Sequence, residues 1–142
     1  MNSRNSELAA ISKVLNKYVD GCQSGNTALL REAFHPQAMM FGSSAGQSII
    51  APIEGLFAYV DANDAPDKTG EPHACTISCI HYDGNAATAE VVQEWAYGNH
   101  YTNYFQLMKI DGQWLIVSKV YQAFAAEADV VEADSTSLFA RG

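Results

Sequence analysis

Aromatic rings and side-chain amides alternate along two predicted strands on either side of a Gly98-Asn99 turn. The residues of this pattern are Gln93, Trp95, Tyr97, Tyr101, Asn103 and Phe105. Rings offer stacking area to a flat heteroaromatic ligand, and amides can hydrogen-bond its edge. The same rings could instead fill a core or a subunit interface, and the pattern leaves both interpretations open.

A second alternating run contains residue types that bind metals. His73, Cys75, Ile77, Cys79 and His81 share one face of a predicted strand. Neighbours on that face lie about 6.5 Å apart, close enough for two of them to share one ion. Four ligands in a line would span about 26 Å, so one ion cannot collect them all. We predict no metal site here and interpret the run as a half-buried or interface strand.

Two further residues could take part in chemistry. His35 precedes Pro36 at the end of a predicted helix, and a histidine there could act as an acid or base at a pocket mouth. The alternative is a ring nitrogen hydrogen-bonded to a carbonyl at the helix end. Cys22 lies on the apolar face of the first predicted helix and is interpreted as a small apolar filler. The sequence has no phosphate loop or dinucleotide fingerprint, so we predict no cofactor.

The first part of the chain is predicted to be helical. Apolar residues at spacings of three and four predict a helix over 6–24, which Gly25 would end in a left-handed cap. A short helix over 28–34 follows, and Pro36 must stop it. Residues 37–41 and 47–51 are predicted short strands. A third helix is expected over 52–62, with Pro52 at its first position.

From His73 the period of the apolar residues changes to two. Four strands are predicted, joined at Asp83-Gly84, Gly98-Asn99 and Asp111-Gly112, and the Asp-Gly pairs favour tight hairpins. Helices that precede an antiparallel meander indicate the α+β class. A bent sheet around a helix leaves a concave mouth in which small ligands bind. We expect one domain over 1–125 and an acidic C-terminal tail over 126–142.

Composition excludes several functions. The chain has 142 residues and a formal charge of −8, which argues against a nucleic-acid groove or an anionic membrane surface. It has no apolar run long enough to span a bilayer and no recognisable signal peptide. Three cysteines, an odd number, are more typical of reduced thiols in a cytoplasm than of a disulfide scaffold. A cytoplasmic location without nucleic-acid or membrane partners is therefore expected.

Two segments carry a resemblance to a known superfamily, over about 6–124. They run from Tyr18-Val19-Asp20-Gly21 to Phe34-His35-Pro36 and from Tyr104 to Val117, the second continuing as Ser-Lys-Val-Tyr. The chain resembles the nuclear-transport-factor-2-like (NTF2-like) superfamily, which includes SnoaL-like cyclases and ketosteroid isomerases, and within it the branch described as putative lumazine-binding. The resemblance implies a cone in which three N-terminal helices pack on a strongly curved antiparallel sheet.

The resemblance also implies an enzymatic alternative. Tyr18 lies where the isomerases have an oxyanion-hole tyrosine, and Asn103 falls near their protonated aspartate, so two hydrogen-bond donors could meet a carbonyl. The position of their general base falls in Met39-Met40-Phe41-Gly42, which has no carboxylate. An isomerase, dehydratase or cyclase would have to use Tyr18, His35 and Asn103. Whether the protein is an enzyme stays open at this stage.

The leading hypothesis is therefore a small-molecule-binding protein with a pocket for a flat ring such as a lumazine or pterin. The residues expected to contact the ligand are Tyr18, His35, Phe41, Phe57, Gln93, Trp95, Asn103, Phe105 and Trp114. Trp114 and Ile116 are predicted to face one side of the last strand, and Leu115, Val117 and Lys119 the other. Because both faces are apolar, we expect the outer face to form a homodimer interface.

Overall fold

The computed structural model describes residues 3–127, which form helices and strands in the predicted order. The helices are α1 (Arg4–Ser24), α2 (Thr27–Ala33), α3 (Glu54–Ala62) and α4 (Pro66–Thr69). The strands are β1 (Phe34–Ser44), β2 (Gln47–Pro52), β3 (Ala74–Asp83), β4 (Ala86–Ala96), β5 (Asn99–Ile110) and β6 (Gln113–Ala125). Of the predicted tail over 126–142, all but Ala126 and Glu127 lies outside the described residues.

Helix α1 begins and ends at residues that satisfy its terminal backbone groups. The Ser3 side chain accepts a hydrogen bond from the Ser6 N–H at the N-terminus. Gly25 has a φ of 71° and donates its N–H to the Gly21 carbonyl, as a left-handed cap does. The buried face of the helix includes Leu15 and Tyr18, as the spacing predicts. This helix supplies one wall of the interior.

The six strands form one curved sheet in the order β2-β1-β6-β5-β4-β3. The meander of β3 to β6 is antiparallel, which confirms the predicted hairpins. The pairing of β1 with β6 is parallel, so the sheet is antiparallel in all its pairings but this one. The α+β class and the helices packed on a curved sheet are confirmed.

Several element boundaries differ from the predicted ones. Phe34 begins β1 instead of ending α2, and Pro52 ends β2 instead of beginning α3. An X-Pro step favours extended backbone at the residue before the proline, which suits a strand end as well as a helix start. The segment over 63–72 contains the short helix α4, which begins with Pro66 at its first turn and ends at Gly70 in a left-handed cap.

A β-bulge in β6 decides which side chains face the interior. Gln106 pairs with Ser118 and Leu107 pairs with Ile116, so Val117 has no partner on β5. The extra residue reverses the alternation, and Lys119 is buried on the same side of the sheet as Trp114 and Ile116. The prediction that Lys119 faces away from Trp114 was wrong because strict alternation assumes an unbroken strand.

Among the described residues, helices long and apolar enough to cross a membrane are absent.

Close packing of α1 on α2 generates a first prediction. A Cβ added at Gly21 would lie 2.7 Å from Cγ of Leu30, a side chain that is fully buried. We expect Gly21→Ala to lower the free energy of unfolding by about 1–3 kcal/mol, because overpacking outweighs the gain in helix propensity. Denaturant unfolding measures this change.

The control for this prediction is a double-mutant cycle with Leu30→Ala, which removes the atoms that the new Cβ would meet. Gly21→Ala should cost much less in that background. Equal costs in both backgrounds would contradict the steric explanation.

Candidate functional site

A cavity of about 290 Å³ lies between the helices α1 and α3 and the inner face of the sheet. Its wall is mostly apolar and carries several phenol groups. The residues that line it are Tyr18, Cys22, Met40, Ser44, Ile49, Ala51, Gly55, Leu56, Tyr59, Val60, Gln93, Tyr97, Asn99, Tyr101, Lys119, Tyr121 and Ala123. A volume of this size is at the lower end of small-molecule sites in proteins.

Among the described residues that line this wall, Lys119 carries the only lysine or arginine group. Its side chain is 3% exposed, and its Nζ lies 3.9 Å from the ring centre of Tyr121. The rings of Tyr18 and Tyr101 are at 5.9 and 5.8 Å from the same atom. Within the part of the chain that is described, Lys119 forms no salt bridge. The ammonium is therefore stabilised by aromatic faces and not by a carboxylate.

Burial changes the protonation of Lys119. Desolvation lowers the pKa of Lys119 from 10.5 to about 8, and the nearby Cys22 thiol opposes this shift only in part. At pH 7 about a tenth of the molecules then carry the neutral amine, compared with fewer than about one in a thousand for an ordinary lysine. A neutral amine has a free lone pair and is a nucleophile.

Gly42 makes room for the ring nearest to this amine. It pairs with Tyr121 across the β1–β6 ladder, and a Cβ at this position would overlap the Tyr121 ring. The absence of a side chain therefore allows Tyr121 to lie over the sheet beside Lys119.

Tyr18 belongs to a chain of buried hydrogen bonds. Its hydroxyl donates to Oε1 of Gln93 at 2.8 Å, and Nδ2 of Asn103 donates to the same oxygen at 2.8 Å. Nε2 of Gln93 lies 3.2 Å from Nε2 of His73, whose Nδ1 lies 2.7 Å from Oε1 of Gln23. Because Oε1 of Gln23 only accepts, His73 carries its proton on Nδ1 and accepts from Gln93 at Nε2.

This chain fixes the direction of the Tyr18 hydrogen bond. The phenol proton is used by Gln93, and burial raises the pKa of Tyr18 well above its usual value, so the group stays protonated. The Tyr18 oxygen can therefore accept a hydrogen bond at the cavity wall but does not donate one there. Tyr18 is thus a hydrogen-bond acceptor toward the cavity, whereas the isomerase resemblance implies a donor.

The rim of the cavity is formed by the turn between β4 and β5. The Tyr97 hydroxyl donates to the Cys22 carbonyl at 2.7 Å, and Asn99 Nδ2 donates to the Tyr101 hydroxyl at 3.0 Å. A carboxylate oxygen of Glu71 accepts from the Gly98 N–H at 2.9 Å. The turn is thus tied to α1 and to the segment after α4, and this holds its tyrosines in place.

Of the nine residues expected to contact a ligand, the structure places Tyr18 and Gln93 in the cavity wall. Trp95 lies within a bulge in β4, where the register shifts between Gln93 and Ala96, and its φ is 60°. Its ring packs edge-on against His100, with 4.8 Å between ring centres. Tyr97, the next residue of the same alternating pattern, does line the cavity.

The other expected residues lie outside the wall. Phe41 is 41% exposed on the outer face of the sheet, and Trp114 is buried near Glu7 at the opposite end of α1. Asn103 is buried behind Gln93, and Nδ1 of His35 accepts from the Gln37 N–H at 3.0 Å. Phe57 and Phe105 pack in the core around Phe34.

Sequence reasoning missed the amine and most of the phenols of the wall. Lys119 interrupts an otherwise apolar strand, which is the signal that could have revealed it. Tyr101 belongs to the alternating aromatic pattern but was not among the expected ligand contacts, and Tyr59 and Tyr121 had no signal of their own.

Metal-binding clusters of three or more His, Cys, Asp or Glu side chains are absent from residues 3–127. His73 and Cys75 do lie together, with 3.1 Å between Nε2 and Sγ. A bulge between Ser78 and His81, with a φ of 56° at Cys79, interrupts the expected common face. The predicted absence of a metal stays a prediction.

The fold and the cavity inside it define an NTF2-like protein. An NTF2-like protein of unknown function from Shewanella baltica has 31% sequence identity and a TM-score of 0.81, over 89% of this chain and 100% of that chain. One from Methylobacillus flagellatus has 29% identity and a TM-score of 0.78, over 87% and 96%. A ketosteroid isomerase-like protein from Erwinia carotovora, at 13% identity and a TM-score of 0.65 over 86% and 99%, shares the fold alone.

Within this superfamily the chain belongs to the family described as putative lumazine-binding, whose model matches residues 6–122. A curated relative, aldolase FrzH from Cladobotryum, is 27% identical over 119 residues, which cover 84% of this chain and 93% of that protein.

The unpaired ammonium generates a prediction about stability. We expect Lys119→Met to raise the free energy of unfolding at pH 7 by about 1–3 kcal/mol, since methionine fills similar volume without the desolvation cost. Between pH 8 and 10.5 the Lys119 amine binds more protons in the unfolded chain than in the folded one, so its contribution to stability rises with pH across that window. The excess stability of Lys119→Met over the wild type should therefore shrink as the pH rises from 8 to 10.5, as measured by urea unfolding of both proteins at several pH values.

Lys109→Met is the matched control. The Lys109 side chain is 19% exposed and its Nζ lies 3.0 Å from a carboxylate oxygen of Glu7. Removing it should lower stability by about 1 kcal/mol, because a partly buried carboxylate loses its cation. The same sign of change in both variants would contradict the assignment of Lys119 as an uncompensated charge.

Proposed function

We propose that this protein binds a flat, uncharged ring compound in the cavity between α1 and the sheet. The observation that carries the proposal is a cavity of about 290 Å³ whose polar groups are phenols, the amides of Gln93 and Asn99, the Ser44 hydroxyl and one amine. Tyrosine rings offer stacking surfaces, and the amine and hydroxyls hydrogen-bond ring oxygens. A ligand with several negative charges is disfavoured because, among the described residues of the wall, Lys119 alone could balance them.

Two similarities support small-molecule ligands of this type. The family description names lumazine, a fused ring with two carbonyl groups. The Cladobotryum relative is named an aldolase, an enzyme class that acts on carbonyl compounds. A ligand with a carbonyl oxygen directed toward Lys119 is consistent with both similarities. The ammonium donates hydrogen bonds to that oxygen, and the rest of the wall accommodates a ring.

The isomerase alternative with Tyr18, His35 and Asn103 has less support. His35 bonds to the backbone outside the cavity wall, and both Nδ2 hydrogens of Asn103 are used by Val91 and Gln93. Any carbonyl chemistry in this cavity would rely on Lys119 and the phenols instead.

Ligand binding can be tested by thermal shift with lumazine, pterin and lumiflavin. We expect at least one of them to raise the melting temperature, because a ligand that binds only the folded state stabilises it. Tyr101→Phe should weaken binding of that compound about tenfold, since it removes a wall hydroxyl.

Tyr104→Phe is the control for this experiment. Tyr104 lies on the same strand but is 51% exposed on the outer face, so its loss should leave affinity unchanged. If all three compounds leave the melting temperature unchanged, the proposed ring ligand is wrong.

We further propose that two copies of the chain associate through the outer face of the sheet. Cross-strand neighbours Ile50, Phe41, Val120 and Tyr104 form an apolar row over four strands, and each is at least 41% exposed. Their neighbours on the outer face of β1, β2, β5 and β6 carry no charge, although the chain as a whole has a formal charge of −8. Two acidic chains can approach best where each is neutral.

Val120→Glu tests the interface. We expect the wild type to sediment at about twice the chain mass of 15.4 kDa and the variant to sediment as a monomer, since like carboxylates would meet at the centre of the row. Thr88→Glu, an exposed position on β4 beside the row, should leave the dimer intact. A monomeric wild type would contradict the proposal.

The cytoplasm is the location that we propose, because Cys22, Cys75 and Cys79 are all free thiols. We also propose that nucleic acids are not partners, in view of the net negative charge.

A further inference from the structure

We propose that Lys119 forms a reversible imine with an aldehyde or ketone held in the cavity. This inference rests on the proposed function in one respect, that the cavity admits small carbonyl compounds. It adds that the bound compound becomes covalently attached at Nζ of Lys119.

The surroundings of Lys119 separate it from the other lysines. Lys17, Lys68 and Lys109 each lie within 3.4 Å of a carboxylate oxygen, which favours the charged ammonium. Lys13 is exposed to solvent. Lys119 is 3% exposed, forms no salt bridge with any described residue, and borders a cavity large enough for a reactant. A desolvated lysine beside an apolar cavity is the arrangement that activates an amine for attack on carbonyl carbon.

The reaction balances without a further reagent. The lone pair of Nζ forms a bond to the carbonyl carbon, and the carbonyl electron pair moves to oxygen, which takes up a proton. Nitrogen loses one proton to give the neutral carbinolamine, whose hydroxyl then takes up a second proton. The nitrogen lone pair forms the C=N bond as the C–O bond breaks and water leaves, and loss of the second N–H proton gives the neutral imine. The sum is amine plus carbonyl compound giving imine plus water, and no group is oxidised or reduced.

The phenols of the wall are suited to the proton transfers of this sequence. Burial raises the pKa of Tyr101 and of Tyr121, so both are protonated at neutral pH and can donate to the carbonyl oxygen. The Tyr18 hydroxyl donates a hydrogen bond to Gln93, and its oxygen lone pair can accept one from an N–H of Lys119. The Tyr18 ring lies 5.9 Å from Nζ of Lys119. It is held in place by the hydrogen bond to Gln93 and by edge contact with Phe105.

Reductive trapping of the full chain tests the proposal. Benzaldehyde and cyclohexanone are incubated separately with the protein and sodium cyanoborohydride at pH 7, and the products are examined by intact mass and peptide mapping. We expect one principal adduct, on the peptide with Lys119, of the mass of the carbonyl compound less one oxygen atom. Lys119 should be labelled at least tenfold faster than any other lysine.

Two variants and a pH series sharpen the result. Lys109→Met should give the same adduct as the wild type, and Lys119→Met should lose it. The rate at Lys119 should rise with pH and level off above about 8, because the neutral amine is the reactive form. If Lys119→Met fails to fold, peptide mapping of the wild type still compares Lys119 directly with the exposed lysines.

The outcomes separate this inference from the proposed function. Labelling of Lys119 at or below the rate of exposed lysines overturns the imine, and a thermal shift with a ring compound in the same preparation would leave the binding proposal in place. Selective labelling of Lys119 without any thermal shift by ring compounds would support the imine and overturn the ring ligand.

Discussion

The uncompensated burial of the Lys119 ammonium is the interaction on which the character of this cavity depends. Taking a charge out of water costs several kcal/mol unless a partner offsets it, and the partners here are the faces of three tyrosines. Aromatic faces stabilise a cation less than a carboxylate does, and the lowered pKa expresses the difference. The Lys119 ammonium can therefore lose its proton at a pH close to neutral. A carboxylate paired with Lys119 at this position would have kept the amine charged.

Backbone irregularities put this amine and its phenols into one cavity. The bulge at Val117 turns Lys119, Tyr121 and Ala123 inward, and the bulge before Ala96 brings Tyr97 to the rim. Bulges also increase local twist, so the same features that aim the side chains help to curve the sheet around the cavity. The parallel pairing of β1 with β6 then adds the wall on the side of α3.

These irregularities also decide how much could be predicted from the sequence. The order of elements and the hairpins at Asp83-Gly84 and Asp111-Gly112 followed from local patterns, because helix period and turn chemistry act over a few residues. Tyr18 was placed correctly by its spacing on α1, and Gln93 precedes the irregular part of β4. Lys119, which follows the bulge in β6, was assigned to the wrong face, and Trp95 lies within the irregular part of β4. A bulge is set by the pairing with the neighbouring strand, and alternation along one strand cannot register it.

The hydrogen bonds behind the wall limit what the cavity can recognise. Gln93 accepts from both Tyr18 and Asn103, so its carbonyl cannot serve a ligand, and its N–H group is directed to His73. The polar groups of the wall left for a bound compound then include the amine of Lys119, the phenols of Tyr59, Tyr101 and Tyr121, and the Ser44 hydroxyl. Because protonated phenols and an ammonium are all donors, they favour a ligand that presents acceptor oxygens. A neutral amine at Lys119 is at the same time a nucleophile placed to meet the carbon of such a carbonyl. Recognition and reactivity in this cavity thus depend on the same nitrogen atom, and the protonation state of Lys119 selects between them.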